Sequence, residues 1–296
     1  MKGIGMSRGR RVFLSVNVAA LLIIALLCVL PLVHVFAVSL SDKASAAGGL
    51  VTLWPVNYTS KAYAYVLGKP SFWTSMGVTI RRVVVGSAIN LTLTVMCAYP
   101  LSKGREKFRA RGIFAWFFFF SSLFSGGLIP GYILVSSLKL MDTIWALVLP
   151  GAVPIFNVIL MLNFFRQIPT ELEEAAAIDG TGIWKTLFLV YIPCSLPSIA
   201  TVALFSIVHH WNSYFDGMIF SNFPSSYPLQ TYLRTVLVST SVTTTMSGDD
   251  WKMLQEISDR TIKSSQIFIA ALPILAVYPF LQKYFVKGIT IGSVKG

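Results

Sequence analysis

Long apolar runs, separated by shorter polar segments, dominate the chain. Six of these runs are long enough to cross a bilayer, because a membrane helix needs about 20 mostly apolar residues. They lie at about 12–40, 72–101, 113–138, 143–165, 187–211 and 264–285. The pattern predicts an all-α membrane protein with about six transmembrane helices, since backbone exposed to lipid must satisfy its own hydrogen bonds.

Small residues and proline interrupt the third run. Ser125-Gly126-Gly127 and Pro130-Gly131 lie near its middle. Small residues allow helices to pack closely, whereas in transporters such interruptions also mark the solute site. The sequence leaves both interpretations open.

Basic residues gather beside the apolar runs, notably within residues 2–11 and in the loop 103–111. The positive-inside rule therefore predicts that both chain termini, this loop and the segment 166–186 lie in the cytoplasm. Read alone, the loop is also compatible with binding to acidic lipid or RNA, but its position favours a topology anchor.

The composition agrees with a membrane protein. Hydrophobic residues make up 55% of the chain and charged residues only 12%, which excludes an ordinary soluble domain. The net charge of +12 would fit nucleic-acid binding, but its placement beside the spans assigns it to topology and lipid, so no nucleic-acid partner is expected. Cys28, Cys97 and Cys194 share no metal-ligand spacing, so no metal site is expected either.

The segment 170–180 is rich in acidic and small residues and predicts a short helix. Thr170 stands three residues before Glu173, which is the capping-box spacing, and glutamates in a first turn suit the helix dipole. Gly180 favours the left-handed conformation that ends a helix. From these features alone, the segment is a surface helix that joins the fourth and fifth spans.

The spacing within this segment also resembles a known signature. Glu174-Ala175-Ala176, Gly180 and Val190-Tyr191-Ile192-Pro193 follow the EAA pattern of binding-protein-dependent ATP-binding-cassette (ABC) importer permeases. That pattern ends in Ile-x-Leu-Pro, so Val190 and Ile192 are mild departures. The resemblance extends from about Trp54 to the C-terminus. It is a resemblance to the carbohydrate-uptake class, whose members resemble the maltose permease pair, and within that class the chain is also similar to the smaller permease of an alginate importer.

The resemblance implies one transmembrane domain over residues 1–296, with a core at about 72–287 and a tail at 288–296. The helix at about 170–180 would be a cytoplasmic coupling helix that docks on an ATPase subunit, and the tail would reach the same interface. The residues implied in ATPase coupling are Glu171, Glu173, Glu174, Ala175, Ala176, Asp179 and Gly180, with Gly292, Val294, Lys295 and Gly296 in the tail.

The same resemblance implies the partners of the chain. Because no GxxxxGK[ST] pattern occurs, ATP and Mg²⁺ are expected on two separate ATPase subunits and no cofactor on this chain. A second permease, usually a different chain, and an extracytoplasmic solute-binding protein complete the expected assembly. It would lie in contact with lipid in the bacterial cytoplasmic (inner) membrane and import an oligosaccharide by alternating access.

Polar and aromatic residues within or beside the apolar runs are candidates for the solute pathway. They are Arg81, Arg82, Asn157, Trp211, Asn212, Tyr214 and Asp216. Aromatic faces and amide or carboxylate groups suit a sugar, and the arginines would admit an acidic one. The arginines could instead extend to lipid headgroups, and the aromatic residues could anchor the protein at the interface.

Two alternatives stand beside an oligosaccharide permease. One is an ABC permease for a different solute, and the other is a polytopic membrane enzyme or anchor that uses the polar segment 221–263. Adjacent His209 and His210 point to different sides of a helix, so they do not form a metal-binding pair. No positioned nucleophile and base mark a catalytic site, so no catalytic residue is expected.

Overall fold

The computed structural model describes residues 8–238 and 257–292, and within these ranges it contains helices and no β-strand. The α-helices are α1 Arg8–Ser39, α2 Lys43–Ala47, α3 Lys61–Leu67, α4 Pro70–Ser102, α5 Arg111–Leu123, α6 Leu128–Ser137, α7 Ile144–Val148, α8 Ile155–Phe165, α9 Thr170–Ile178, α10 Ile183–Thr186, α11 Ile192–Cys194, α12 Leu196–Asn212, α13 Phe215–Phe220, α14 Leu229–Val238 and α15 Asp259–Gly292.

In this part of the chain, three continuous helical stretches are long and apolar enough to cross a membrane. They are α1, α4 and the Asp259–Val277 part of α15, and three bent helix pairs raise the possible number of spans to six. The prediction of an all-α membrane protein is therefore confirmed. The placement of both termini in the cytoplasm stays a prediction.

The break predicted in the third span is present, and the fourth and fifth spans are broken as well. The helix axes bend by 112° between α5 and α6, by 51° between α7 and α8, and by 83° at the start of α12. Proline explains the unexpected breaks, since it lacks an N–H and clashes with the preceding turn. Pro154 precedes α8, and Pro193 and Pro197 lie at the starts of α11 and α12.

The described residues fall into two compact units, one of residues 8–69 and 257–271 and the other of residues 70–238 and 272–292. In the first unit, the last turn of α1 buries Ala37 and Val38 against Ala46 and Val51. Most of the remaining α1 side chains are apolar and exposed, as for a helix that contacts lipid. The prediction of a single permease domain stays a prediction.

In the second unit, α4 packs against α8 and α12. The main apolar cluster is formed by Val95, Ala98, Tyr99, Leu101, Val158, Met161, Phe165, Leu187, Tyr191 and Val202. α4 also presents a buried row of small or polar residues at intervals of three or four: Ser75, Thr79, Arg82, Gly86, Asn90 and Thr94. Small and polar residues at such an interface let helices approach closely and hydrogen-bond across it.

Gly86 marks a point of close approach between α4 and α12. A Cβ at this position would overlap the imidazole of His210, with Cε1 only 2.6 Å away. His210 is 2% exposed, and its Nε2 lies 2.8 Å from Asn90 Oδ1, so the ring has little freedom to move. Gly77, in the same helix, has open space around the position of an added Cβ.

We expect Gly86→Ala to destabilise the protein and Gly77→Ala to leave it unchanged or slightly more stable. The first change overpacks the interface, which typically costs about 1–3 kcal/mol. The second adds helix propensity of roughly 0.5–1 kcal/mol. Thermal unfolding midpoints of the purified variants in detergent test this, and equal shifts for both would contradict the packing described here.

Candidate functional site

The predicted helix at 170–180 is α9, Thr170–Ile178. Gly180 has φ +71, which is the left-handed conformation expected where the helix ends. The capping box, however, is wrong. Pro169 occupies the N-cap position, no side chain caps the helix, and Thr170 is the first helical residue.

Most of α9 is exposed. Ala176 is its only buried residue, and Glu173 is half-buried. The exposed members of the predicted coupling set are Glu171, Glu174, Ala175, Asp179 and Gly180. Ile178 is 87% exposed beside these carboxylates. α9 therefore presents acidic, small and apolar groups together on its outer face.

Glu173 points in the opposite direction, into the protein. Its Oε1 accepts a hydrogen bond of 2.9 Å from Lys103 Nζ, and its Oε2 accepts one of 2.9 Å from the Tyr191 hydroxyl. Lys107 Nζ lies 3.4 Å from Oε1. The Lys103 ammonium also lies 4.1 Å from the centre of the Tyr99 ring and 3.9 Å from that of Tyr191. One carboxylate and two aromatic faces thus surround a single cation, the arrangement that cation–π attraction favours.

The carboxylate is stabilised in its charged form. Burial alone would raise the pKa of Glu173, but the hydrogen bonds from Lys103 and Tyr191 and the nearby lysine charges outweigh burial and lower it. Because the folded-state pKa lies below that of the unfolded chain, the pair stabilises the fold above the unfolded value, about 4.3. This stabilisation is lost as the pH falls through the lower, folded value.

These contacts join α9 to two spans. Lys103 directly follows α4, and Tyr191 ends the π-helical turn Leu187–Tyr191 in the bent fifth span. A displacement of α9 would therefore pull on both spans through the Glu173 carboxylate. The sequence carried a signal for this link, since Tyr99 and Lys103 are spaced by four residues and share one face of the helix end.

Among the predicted solute-pathway residues, the structure brings Arg82 and Asp216 together. Arg82 is 1% exposed. Its Nη1 donates to Asp216 Oδ1 at 3.0 Å and to the Ser213 carbonyl at 3.3 Å, and its Nη2 pairs with Asp216 Oδ2. The charge of Arg82 is thus already balanced within the chain. Arg81, in contrast, is exposed and lies on another face of α4.

The other candidate residues are dispersed. Asn157 is buried, and its Nδ2 donates to Ser206 Oγ at 3.4 Å. Trp211 is also buried, whereas Asn212 and Tyr214 are exposed. Their contact with a solute stays a prediction.

Asn90 and His210 are polar residues that were not among the sequence candidates. In addition to its contact with His210, Asn90 donates from Nδ2 to the carbonyls of Gly151 and Ala152, both at 2.9 Å. These hydrogen bonds give partners to two backbone carbonyls at the break in the fourth span. In a regular helix, backbone N–H groups of the same helix would have bonded to those carbonyls. The signal in the sequence that could have identified Asn90 was its spacing from Arg82. Asn90 follows Arg82 by eight residues, or two steps of four, and so lies on the same side of the helix.

The predicted tail residues are only partly within the described chain. α15 continues to Gly292, so residues 288–292 extend the helix. Val294, Lys295 and Gly296 lie outside the described residues. Their role at an ATPase interface stays a prediction.

Comparisons with known proteins agree with the EAA spacing. Residues 90–291 match the family described as binding-protein-dependent transport system inner membrane component. The chain is 43% identical to Protein LplC of Bacillus subtilis (strain 168), covering 98% of this chain and 97% of that protein. It is 39% identical to the polygalacturonan/rhamnogalacturonan transport system permease protein YtcP of the same strain, covering 93% and 96%.

A solved structure matches along nearly the whole chain. It is a bacterial ABC transporter involved in the import of the acidic polysaccharide alginate. The TM-score is 0.85 at 35% sequence identity, with 95% of this chain and 99% of that chain covered. The resemblance stated from the EAA residues is thus confirmed.

We expect the neighbouring glutamates of α9 to differ in their effect on stability. Glu173→Ala removes hydrogen bonds to a charged group, which typically contribute about 1.5–3 kcal/mol. Glu174→Ala alters an exposed side chain and should change stability by no more than about 0.5 kcal/mol. Thermal unfolding at neutral pH checks this, and equal midpoints for the two variants would show that the Glu173 contacts contribute nothing.

The Arg82–Asp216 pair gives a second prediction. Asp216→Asn leaves a buried cation unpaired, which typically costs about 3–5 kcal/mol. The double variant Arg82→Met/Asp216→Asn removes both charges and should recover most of that loss. Unfolding midpoints of the wild type, both single variants and the double variant measure the coupling. A double variant as unstable as the sum of the single variants would exclude a paired role.

Proposed function

The chain belongs to the binding-protein-dependent transport system inner membrane components, and we propose that it is one of two permease subunits of a bacterial ABC importer that takes up an oligosaccharide. As a member of this family it is a multi-pass membrane permease and not an enzyme. The partners of the chain, its cargo and its location in the cytoplasmic membrane are what we propose beyond membership of the family.

The observation that carries the proposal is the two-sided arrangement of α9. Its outer face exposes Glu174, Ala175 and Ile178, whereas its inner face holds Glu173 against Lys103 and Tyr191. A short helix of this kind can receive a push from a docked subunit and pass it to the spans. A surface helix that merely joined two spans would not need the inner connection.

The mechanism follows from these contacts. ATP and Mg²⁺ bind to two separate ATPase subunits, which close on each other. The carboxylates of Glu171, Glu174 and Asp179 contact basic groups of an ATPase subunit, and the small side chains at Ala175 and Gly180 allow close approach. α9 then moves α4 and the fifth span, and the shift between their packed faces alternates access to the solute.

The cargo is proposed from relatives and from the chemistry of the pathway candidates. Two of the similar proteins have names that state polygalacturonan/rhamnogalacturonan transport or alginate import. Polygalacturonan and alginate are uronate polymers, so their oligomers carry carboxylates. Trp211, Asn212 and Tyr214 offer aromatic and amide groups for sugar rings. Since Asp216 already balances Arg82, Arg81 is the arginine better placed to meet a solute carboxylate.

The proposed assembly contains a second permease that is a different chain, two ATPase subunits and an extracytoplasmic binding protein that delivers the sugar. The support is the family description, which names binding-protein dependence, and the similarity to a chain of an ABC transporter. The end of the bundle that carries α9 would then face the cytoplasm. This orientation agrees with the basic loop at 103–111, because Lys103 and α9 lie at the same end.

The decisive test is purification of the tagged chain from native membranes, followed by an ATPase assay. We expect a stoichiometric ATPase subunit whose turnover rises when a sugar-loaded binding protein is added. Ala175→Trp should abolish this association, because the added ring lies on the exposed face of α9. Ala20→Trp, at an exposed alanine of α1, is the control for the added bulk of the side chain. This variant should still co-purify with the ATPase subunit.

A chain that purifies without an ATPase subunit would favour the alternative of a membrane enzyme or anchor. Retention of the ATPase by Ala175→Trp would remove α9 as the docking site. For the cargo, uptake of labelled oligogalacturonate and maltotriose is compared in cells with and without this chain. If this chain increases the uptake of neither sugar, the remaining interpretation is an ABC permease for a different class of solute.

A further inference from the structure

A basic cavity lies beside the start of α5. Its volume is about 760 Å³, and the arginines in its lining are Arg105, Arg109 and Arg111. This volume falls within the range of about 300–1,000 Å³ that is usual for small-molecule sites. Glu106, in the same loop, is not part of the lining, so the charged side chains of the cavity are all positive.

Part of the cavity lining is apolar. Ile113 and Trp116 form this part and are 74% and 71% exposed. They belong to α5, a helix with no buried residue within the described part of the chain. A tryptophan at such a boundary is typical of the membrane interface, where its ring contacts the headgroup region. The cavity therefore combines cationic side chains with an apolar surface suited to acyl chains.

One lining arginine, Arg111, also lies close to a positive charge outside the lining. Burial and the charge of Arg111 lower the pKa of Arg166, the residue that follows α8. Arg111 in turn donates from Nη1 to the Lys103 carbonyl at 3.2 Å, which fixes its position. A ligand with a negative charge would relieve this repulsion, and an apolar ligand would not.

We propose that this cavity binds the phosphate headgroup of an anionic phospholipid from the leaflet at the α9 end of the bundle. Arg105 and Arg109 contact the phosphate oxygens, for which the guanidinium fork is well matched. Trp116 and Ile113 pack against the glycerol and the first methylenes of the acyl chains. Basic pockets at the cytoplasmic ends of membrane helices are suited to such lipids. The apolar wall favours a lipid over RNA or a soluble anion.

The test uses the full chain, purified in a mild detergent with the subunits that accompany it. Binding of phosphatidylglycerol, of phosphatidylcholine with the same acyl chains and of soluble glycerol phosphate is measured by native mass spectrometry. We expect phosphatidylglycerol to bind most tightly. Arg105→Gln/Arg109→Gln should weaken it roughly 25-fold, because each arginine near an anionic lipid contributes about fivefold. Arg111 is left in place because it also supports the loop.

Two further variants separate charge in the cavity from charge in the loop. Lys107→Gln removes a positive charge that lies outside the cavity lining and is directed to Glu173, so lipid binding should weaken far less than in the arginine variant. Arg105→Lys/Arg109→Lys should retain most of the binding, and circular dichroism confirms that each variant is folded. A loss that the lysine variant does not rescue would contradict an electrostatic site.

Three outcomes would overturn the proposal. Equal binding of the two lipids would show that the arginines do not select the headgroup. Glycerol phosphate binding as tightly as phosphatidylglycerol would assign the cavity to a soluble phosphate. Lipid that binds only after an associated subunit has been removed would assign the arginines to a protein interface.

Discussion

Because the interior of a bilayer lacks water, a polar group buried there is costly unless it finds a partner within the protein. Much of the second unit follows from this constraint. Arg82 pairs with Asp216, and Asn90 joins His210 to the carbonyls at the break in the fourth span. These bonds run from α4 to the segment between α7 and α8, to the end of α12 and to α13, so they fix which faces of the helices meet. Gly86 then makes room for the imidazole that this arrangement places against α4.

Local pattern was enough to predict part of this structure. The lengths of the apolar runs predicted the spans, and Gly126-Gly127 predicted the break in the third span. The residues from Thr170 to Gly180 predicted α9. Pairing between distant residues was not predictable in the same way. Arg82 and Asp216 are separated by 134 positions, and their contact depends on how two spans pack. The missing cap has a local cause as well, since Pro169 occupies the N-cap position and Glu173 takes part in a tertiary contact instead of bonding to its own helix end.

Two adjacent glutamates in α9 point in different directions. Successive residues of an α-helix are rotated by about 100°, so Glu173 and Glu174 cannot face the same neighbour. Glu173 is held between Lys103 and Tyr191, and Glu174 is exposed. The EAA signature begins at the outward residue. The signature thus leaves out the inward glutamate, although that residue connects α9 to the spans.

The loop at 103–111 has a comparable division of its charges. Lys103 and Lys107 are directed to the carboxylate of Glu173, whereas Arg105, Arg109 and Arg111 line the cavity beside α5. The chemistry of the two cations suits these tasks. An ammonium is compact enough to fit between two tyrosine rings, and a guanidinium can present parallel donors to a phosphate. Because Arg111 bonds to the backbone of Lys103, a ligand in the cavity would restrain the residue on which α9 depends. Lipid and ATPase would then act on the same helix end, the lipid by fixing it and the ATPase by moving it.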